Sequence, residues 1–199
     1  MSRVAPLEFD TLPSDLQDIL HNGEAVLGFM PNDGLVMARR PGLLRALSQL
    51  VGEVWGPGRL DDSLKRMVAE ISSKTAGCMY CTAHSAYAAA ESGVSRKKIE
   101  SLWQFESSDL FNEAEKSALR FTVAASQSPA ATTNRDFEAL RQFYDEEEIV
   151  ELMGVIACFG FLNRWNDNMA TGLEPKPRQF AQDNLRSAGW DGGKHVEVE

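Results

Sequence analysis

Gly77-Cys78-Met79-Tyr80-Cys81-Thr82-Ala83-His84-Ser85-Ala86-Tyr87-Ala88-Ala89-Ala90 is the stretch from which the rest of the chain can be worked out. Its second half is alanine-rich, the composition of a strong helix former. The pattern predicts a helix from about Cys78 that ends near Gly93. On such a helix three residues advance about 300°, about 60° short of a full turn. Cys81 is therefore the common neighbour of Cys78, one turn below, and His84, one turn above.

Helical spacing continues on both sides. Leu43, Leu44, Leu47, Leu50, Val51 and Val54 recur at three and four after Pro41-Gly42. Leu64, Met67, Val68 and Ile71 mark another helix, opened by Asp61-Asp62-Ser63, where acids suit the helix dipole. Ser95 opens a short helix, and further helices are expected over 112–125, 133–144 and 145–171. Pro175 and Pro177 end that last pattern, and a final helix runs from Arg178 to about Ser187. No stretch alternates long enough to build a sheet. The expectation is an all-α bundle of about eight helices over residues 41–187. Residues 1–40, with three prolines, form an N-terminal arm with one short helix, and 188–199 form a polar tail.

The chain has 199 residues, enough for one domain with a real core, and 43% hydrophobic against 25% charged residues is ordinary for a soluble protein. A net charge of −9 with no basic stripe argues against nucleic acid as a partner. No apolar run approaches a membrane span, and the first residues lack the apolar core of a secretory leader. Three cysteines, Cys78, Cys81 and Cys158, do not read as a disulfide framework. The expected compartment is the reducing cytoplasm, where a C-x-x-C pair points to redox, catalytic or metal chemistry.

The Cys78, Cys81, His84 spacing suits two-electron thiol chemistry. Thiolate is the nucleophile, and an imidazole one turn away can take the proton of Cys81. Attack on a peroxide leaves a sulfenic acid, which Cys78 condenses with to form a disulfide that an external dithiol reopens. In the converse order Cys78, nearest the helix N-terminus, attacks and Cys81 resolves. Two further readings stand beside these. The cysteines are small buried hydrophobes, or they ligate zinc with His84 and a fourth ligand from Cys158, His21 or His195. Otherwise His21 and His195 have no neighbours that suggest chemistry, and His195 falls in a tail expected to be disordered. Cys158 reads as a buried small apolar residue.

A helix ending in Ala-Gly, then Cys-x-Tyr-Cys-x-x-His and a run of alanines, resembles the carboxymuconolactone decarboxylase-like superfamily, and within it the alkylhydroperoxidase D-like, peroxidase-related branch. The likeness spans about residues 40–175 and includes Phe161-Leu162-Asn163-Arg164-Trp165-Asn166-Asp167. It implies an all-α alkylhydroperoxidase D-like bundle and a homo-oligomer (dimer, trimer or hexamer). It also implies reduction of a small hydroperoxide without metal or other cofactor, with Cys81 attacking, Cys78 resolving and a dithiol or thioredoxin-like reductant. The lactone decarboxylases lack the cysteine pair, so the motif does not support decarboxylation.

Two positions depart from that pattern. The histidine stands at 84, where the pattern has it one residue later at Ser85, and Tyr80 replaces the histidine between the cysteines. The slot of the relay glutamate holds Arg66. Glu70 is the nearest acid, either the relay or one rung of an Arg66, Glu70, Lys74 ion-pair ladder. Tyr80, Asn163, Trp165, Asn166 and Asp167 are candidate pocket residues, with Trp165 as a shield. The bland alternative for the last four is a polar patch against another helix or subunit. Against the enzyme stands a non-catalytic helical scaffold whose cysteines exchange disulfides or sense redox state.

Overall fold

The structure, a computed structural model, describes residues 2–196. Among them are ten α-helices and no strand, and eight of the helices have seven or more residues. They are α1 (Ser14–Leu27), α2 (Asn32–Met37), α3 (Pro41–Trp55), α4 (Asp62–Thr75), α5 (Met79–Glu91), α6 (Arg96–Glu100), α7 (Glu113–Ala125), α8 (Asn134–Leu140), α9 (Glu146–Met169) and α10 (Pro175–Asn184). No helix among the described residues is long and apolar enough to cross a membrane. The all-α class is as the sequence predicts.

The centre is an antiparallel pair, α4 and α5, flanked by α9, α7 and α10. Ala83, Ala86 and Ala89 of α5 are fully buried and share one core with Met67, Val68 and Ile71 of α4. Small residues let the backbones approach, and each large apolar side chain sealed there contributes about 1.5–3 kcal/mol. Side-chain caps start the helices as the sequence implies. Asp61 accepts from the Ser63 N–H at 2.7 Å, and Asp145 opens α9 in a capping box with Glu148.

The turn between α4 and α5 sets up the cysteines. Gly77 has φ +74°, a conformation costly for a side chain with a Cβ. Its N–H donates to the Lys74 carbonyl at 3.1 Å, and the Cys78 N–H donates to that of Ser73 at 3.1 Å, a Schellman closure of α4. Cys78 thus closes one helix and caps the next: its Sγ accepts from the Cys81 N–H at 3.4 Å. It is not a member of α5, so the one-turn angle between the two cysteines does not describe it.

Three regions differ from the sequence reading. Residues expected to form an arm fold as α1 and α2, whose Leu16, Leu20 and Met37 build a second core against Leu44 of α3 and Leu162 of α9. Pro175 and Pro177 open α10 rather than ending a helix, because a first-turn N–H is unpaired anyway. The tail also folds back. Trp190 is buried and its Nε1 donates to the Met79 carbonyl at 2.9 Å. Residues 197–199 of that predicted tail lie outside the described residues.

Candidate active site

All three cysteines are free and buried. Cys81 lines a cavity of about 210 Å³; Cys78 does not border it. The wall is mostly apolar: Leu20 and Leu27 from α1, Met37 from α2, Leu47 and Trp55 from α3, Phe159 from α9. The polar end gathers Asp33, Tyr80, Cys81, His84 and Asn166. Two sulfurs three residues apart therefore face different surroundings.

On the cavity side, His84 stacks on Tyr80 with ring centroids 4.1 Å apart, and Phe29 meets it edge-on. Its Nε2 lies 2.6 Å from Oε2 of Glu174, a residue at the start of α10 that is itself 3% exposed. A carboxylate accepts, so Nε2 carries the hydrogen. Glu174 Oε1 takes two further donors, the Tyr80 hydroxyl at 2.8 Å and the Asn32 N–H at 2.6 Å. Burial alone would push Glu174 up. The His84 charge and these hydrogen bonds more than offset it and hold the carboxyl below its ordinary range. Burial would lower His84, and the Glu174 charge wins to raise it. The expected hydrogen bond from His84 to a sulfur is replaced by this ion pair.

Asn166, on the last turn of α9, links two groups. Its Oδ1 accepts from the Thr171 hydroxyl at 2.7 Å, which fixes the amide so that Nδ2 faces Asp33 Oδ2 at 3.1 Å and Cys81 Sγ at 3.5 Å. Burial pushes the Asp33 carboxyl above its usual range. Ala170 just beyond is left-handed at φ 48°, which costs an L-residue about 1 kcal/mol and turns the chain toward Thr171 and Glu174.

Cys78 faces the other way. The neighbouring Cys81 side chain first, and His195 to a lesser degree, bring its thiol down to about 6, against the opposing effect of burial. Cys81 is pushed well up, by burial first and then by its neighbour sulfur. Of the two sulfurs, Cys78 is the one that gives up its proton more readily.

The other predicted residues separate. Tyr80 and Asn166 reach the cavity. Asn163, Trp165 and Asp167 line a different, wider groove along α9, and Asp167 pairs with Lys194 at 2.9 Å. Trp165 therefore does not shield the thiols. Glu70 lies in a small separate cavity with Lys74, Thr82 and Trp190, and burial pushes its carboxyl to about 8. The described residues hold no group of three or more His, Cys, Asp or Glu side chains placed to bind a metal ion.

Sequence reasoning missed Glu174 and Asp33. Glu174 lies 90 residues from its partner histidine, and Asp33 comes from the presumed arm. Only the tail carried a usable signal: Trp190 amid polar residues is a large aromatic that needs a place to be buried.

The sequence profile of the carboxymuconolactone decarboxylase family matches residues 41–124. A search of curated proteins finds no match. Among solved structures, the debrominase Bmp8 superposes with a TM-score of 0.85 at 38% identity, over 90% of this chain and 96% of that one. A cysteine-to-alanine variant of Bmp8 in complex with 2,3,4-tribromopyrrole matches at 37% identity over the same shares, also with a TM-score of 0.85. An uncharacterized peroxidase-related protein from Ralstonia eutropha JMP134, an alkylhydroperoxidase AhpD core, shares the fold at TM-score 0.81 and 21% identity, covering 90% of this chain and 95% of that one. With such likeness over nearly the whole of both chains, the protein belongs to the carboxymuconolactone decarboxylase family and has the all-helical alkylhydroperoxidase D-like fold.

Proposed function

We propose that this protein is a thiol-dependent reductase of small apolar electrophiles, and that its substrate is a halogenated aromatic ring. The observation that carries the reading is that Cys81 alone of the two sulfurs ends an apolar, ring-sized cavity. The 38% identity to a debrominase supports the halogen as the atom removed. Sealing about 150 Å² of ring surface at about 25 cal/mol per Å² is worth about 4 kcal/mol of binding, which hydrogen peroxide cannot collect.

The chemistry is a two-electron exchange. As Cys81 passes its proton to the Cys78 thiolate, its sulfur attacks the halogen and the carbon–halogen bond breaks. The ring carbon takes a proton from the polar end of the cavity, where burial keeps the Asp33 carboxyl protonated more readily than usual. Cys78 then attacks the Cys81 sulfur, a disulfide forms and halide leaves. An external dithiol restores both thiols by exchange. An organic hydroperoxide of similar size is the second reading. It would spend the same electron pair at its O–O bond, and the proton donors at the cavity's polar end favour it, since the departing alkoxide needs one.

The test mixes reduced protein, without oxygen, with a bromopyrrole or bromophenol, with cumene hydroperoxide and with hydrogen peroxide. Halide release and free thiols are counted. One halide per Cys78–Cys81 disulfide is expected, with the bromoarene faster than either peroxide. Faster oxidation by cumene hydroperoxide selects the second reading. Thiols untouched by every apolar electrophile overturn both.

A further inference from the structure

The cavity is longer than the reacting ring needs, and the thiol stands at one end of it. Along α9 the wall runs from Asn166, 3.5 Å from the Cys81 sulfur, to Phe159, whose ring meets that of Trp55 edge-on at 6.1 Å. Along α5 it runs from Cys81 through Ser85 to Ala88. Each stretch is about two helical turns, or about 10 Å. One halogenated ring at Cys81 therefore leaves the Trp55 end for the rest of a longer molecule.

Arg66 stands at that far end. Among the described residues it is the one lysine or arginine that lines the cavity, a turn before Ala69 on the same face of α4. Its guanidinium carbon sits 3.9 Å from the centre of the Trp55 ring, a cation–π stack that holds the plane in place. The side chain is 16% exposed, so water still reaches it. Nε meets Asp62 Oδ2 at a long 3.4 Å, and neither terminal nitrogen has an acceptor among the described residues. Those two nitrogens present the N–H edge from which a carboxylate accepts two parallel hydrogen bonds. The thiol end offers an anion nothing comparable: Asp33 lines it, and the His84 ring is already paired with the Glu174 carboxylate.

We propose that Arg66 selects the substrate, an elongated halogenated aromatic acid whose carboxylate is held at the Trp55 end while its ring reaches Cys81. The halogenated ring rests on the thiol-reductase reading; the anion site itself does not. A carboxylate finds fellow acids at one end of the cavity and a cation at the other, so its charge turns the halogen toward the sulfur. Partial exposure at Arg66 keeps the cost of drying the two charges low. The apolar wall between the ends collects the surface of the rings.

The experiment has an arm without reaction. Binding of para-carboxybiphenyl, a two-ring acid with no halogen, and of its neutral carboxamide is measured by calorimetry in reduced wild type, Arg66→Gln and Arg66→Lys. Wild type binds the acid at least about tenfold more tightly than the amide. Arg66→Gln erases that preference by weakening the acid alone, and Arg66→Lys keeps part of it, as a point charge without the fork does. Equal binding of acid and amide by wild type, or binding of neither, overturns the proposal, as does a preference that survives in Arg66→Gln. In the second arm a bromophenol carrying a para-benzoate group, and its benzamide counterpart, are reduced without oxygen by protein supplied with an external dithiol. Arg66→Gln raises KM for the acid about tenfold, keeps kcat within about twofold and leaves KM for the amide unchanged. An equal loss on both compounds reduces Arg66 to a packing partner of Trp55 and overturns the proposal. A wild-type protein that prefers the acid through Arg66 but releases bromide from neither compound removes the reductase reading and leaves the anion site standing.

Discussion

The two histidines packed beside Tyr80 invite comparison. Each has one ring nitrogen tied down and each is packed beside Tyr80, His84 at 4.1 Å and His195 at 5.8 Å between ring centroids. His84 is tied through Nε2 to the Glu174 carboxylate, which adds a negative charge and favours the imidazolium. His195 is tied through Nδ1 to the Thr171 carbonyl, which fixes the tautomer without adding charge. The same side chain is thus paired with a charged group in one place and with a neutral carbonyl in the other. What the imidazole can do is decided by its second partner, and neither partner is near it in sequence.

The largest expected effect comes from exchanging the two sulfurs' roles. Cys81→Ser should lower substrate reduction by about 10⁴-fold, as removal of a nucleophile does. Cys78→Ser should still complete one attack per molecule, more slowly because the Cys81 proton has lost its acceptor, and should lose turnover, as rapid-quench measurement would show. Glu174→Gln comes next. It leaves His84 without its counter-charge in a buried site, so about 3 kcal/mol of stability should go, with turnover down about 100-fold. The sign of its pH dependence follows from the two shifts. The raised His84 contributes stability that is complete below its ordinary value of about 6.5 and is lost as pH rises through the raised value. The lowered Glu174 contributes stability present above about 4.3 and lost as pH falls through the lowered value. The melting-temperature gap between wild type and Glu174→Gln should therefore be widest between about pH 4.3 and 6.5 and narrow on either side.

Much of the cavity side could be read from the chain. Cys81 and His84 share a face because they stand three apart on one helix, and periodicity reports such local relations. Asn166 was found by its polarity in an apolar helix, but its neighbours Asn163, Trp165 and Asp167 turn to another groove, because a helix of polar residues does not say which face meets the site. The back side was hidden. Cys78 escaped the angle argument by capping α5 from outside it, and His195 arrives from a segment whose composition reads as tail. The helices α1 and α2 were masked by Pro6, Pro13 and Pro31, although Leu20 and Met37, packed with Leu16 in the second core, supply apolar cover to the cavity.

Smaller effects sharpen the contrast further. Ala88→Leu, which adds bulk to the cavity wall, should raise KM for a ring-sized substrate by about tenfold, the cost of a displaced methyl group or two. The same change should leave oxidation by hydrogen peroxide within about twofold. Glu70→Gln should change turnover least, because that carboxyl lines a separate small cavity. Its effect is on stability. An acid raised to about 8 costs the fold stability as pH climbs from about 4.3 to 8. The variant's melting temperature should fall less than that of wild type over that range.

The division of labour between the sulfurs is tested most directly by peptide mapping after a sub-stoichiometric dose of bromoarene or cumene hydroperoxide, with dimedone present, in Cys78→Ser and Cys81→Ser proteins. The account predicts dimedone on Cys81 of the first variant and none on Cys78 of the second. Label on Cys78 with Cys81 left bare would contradict it.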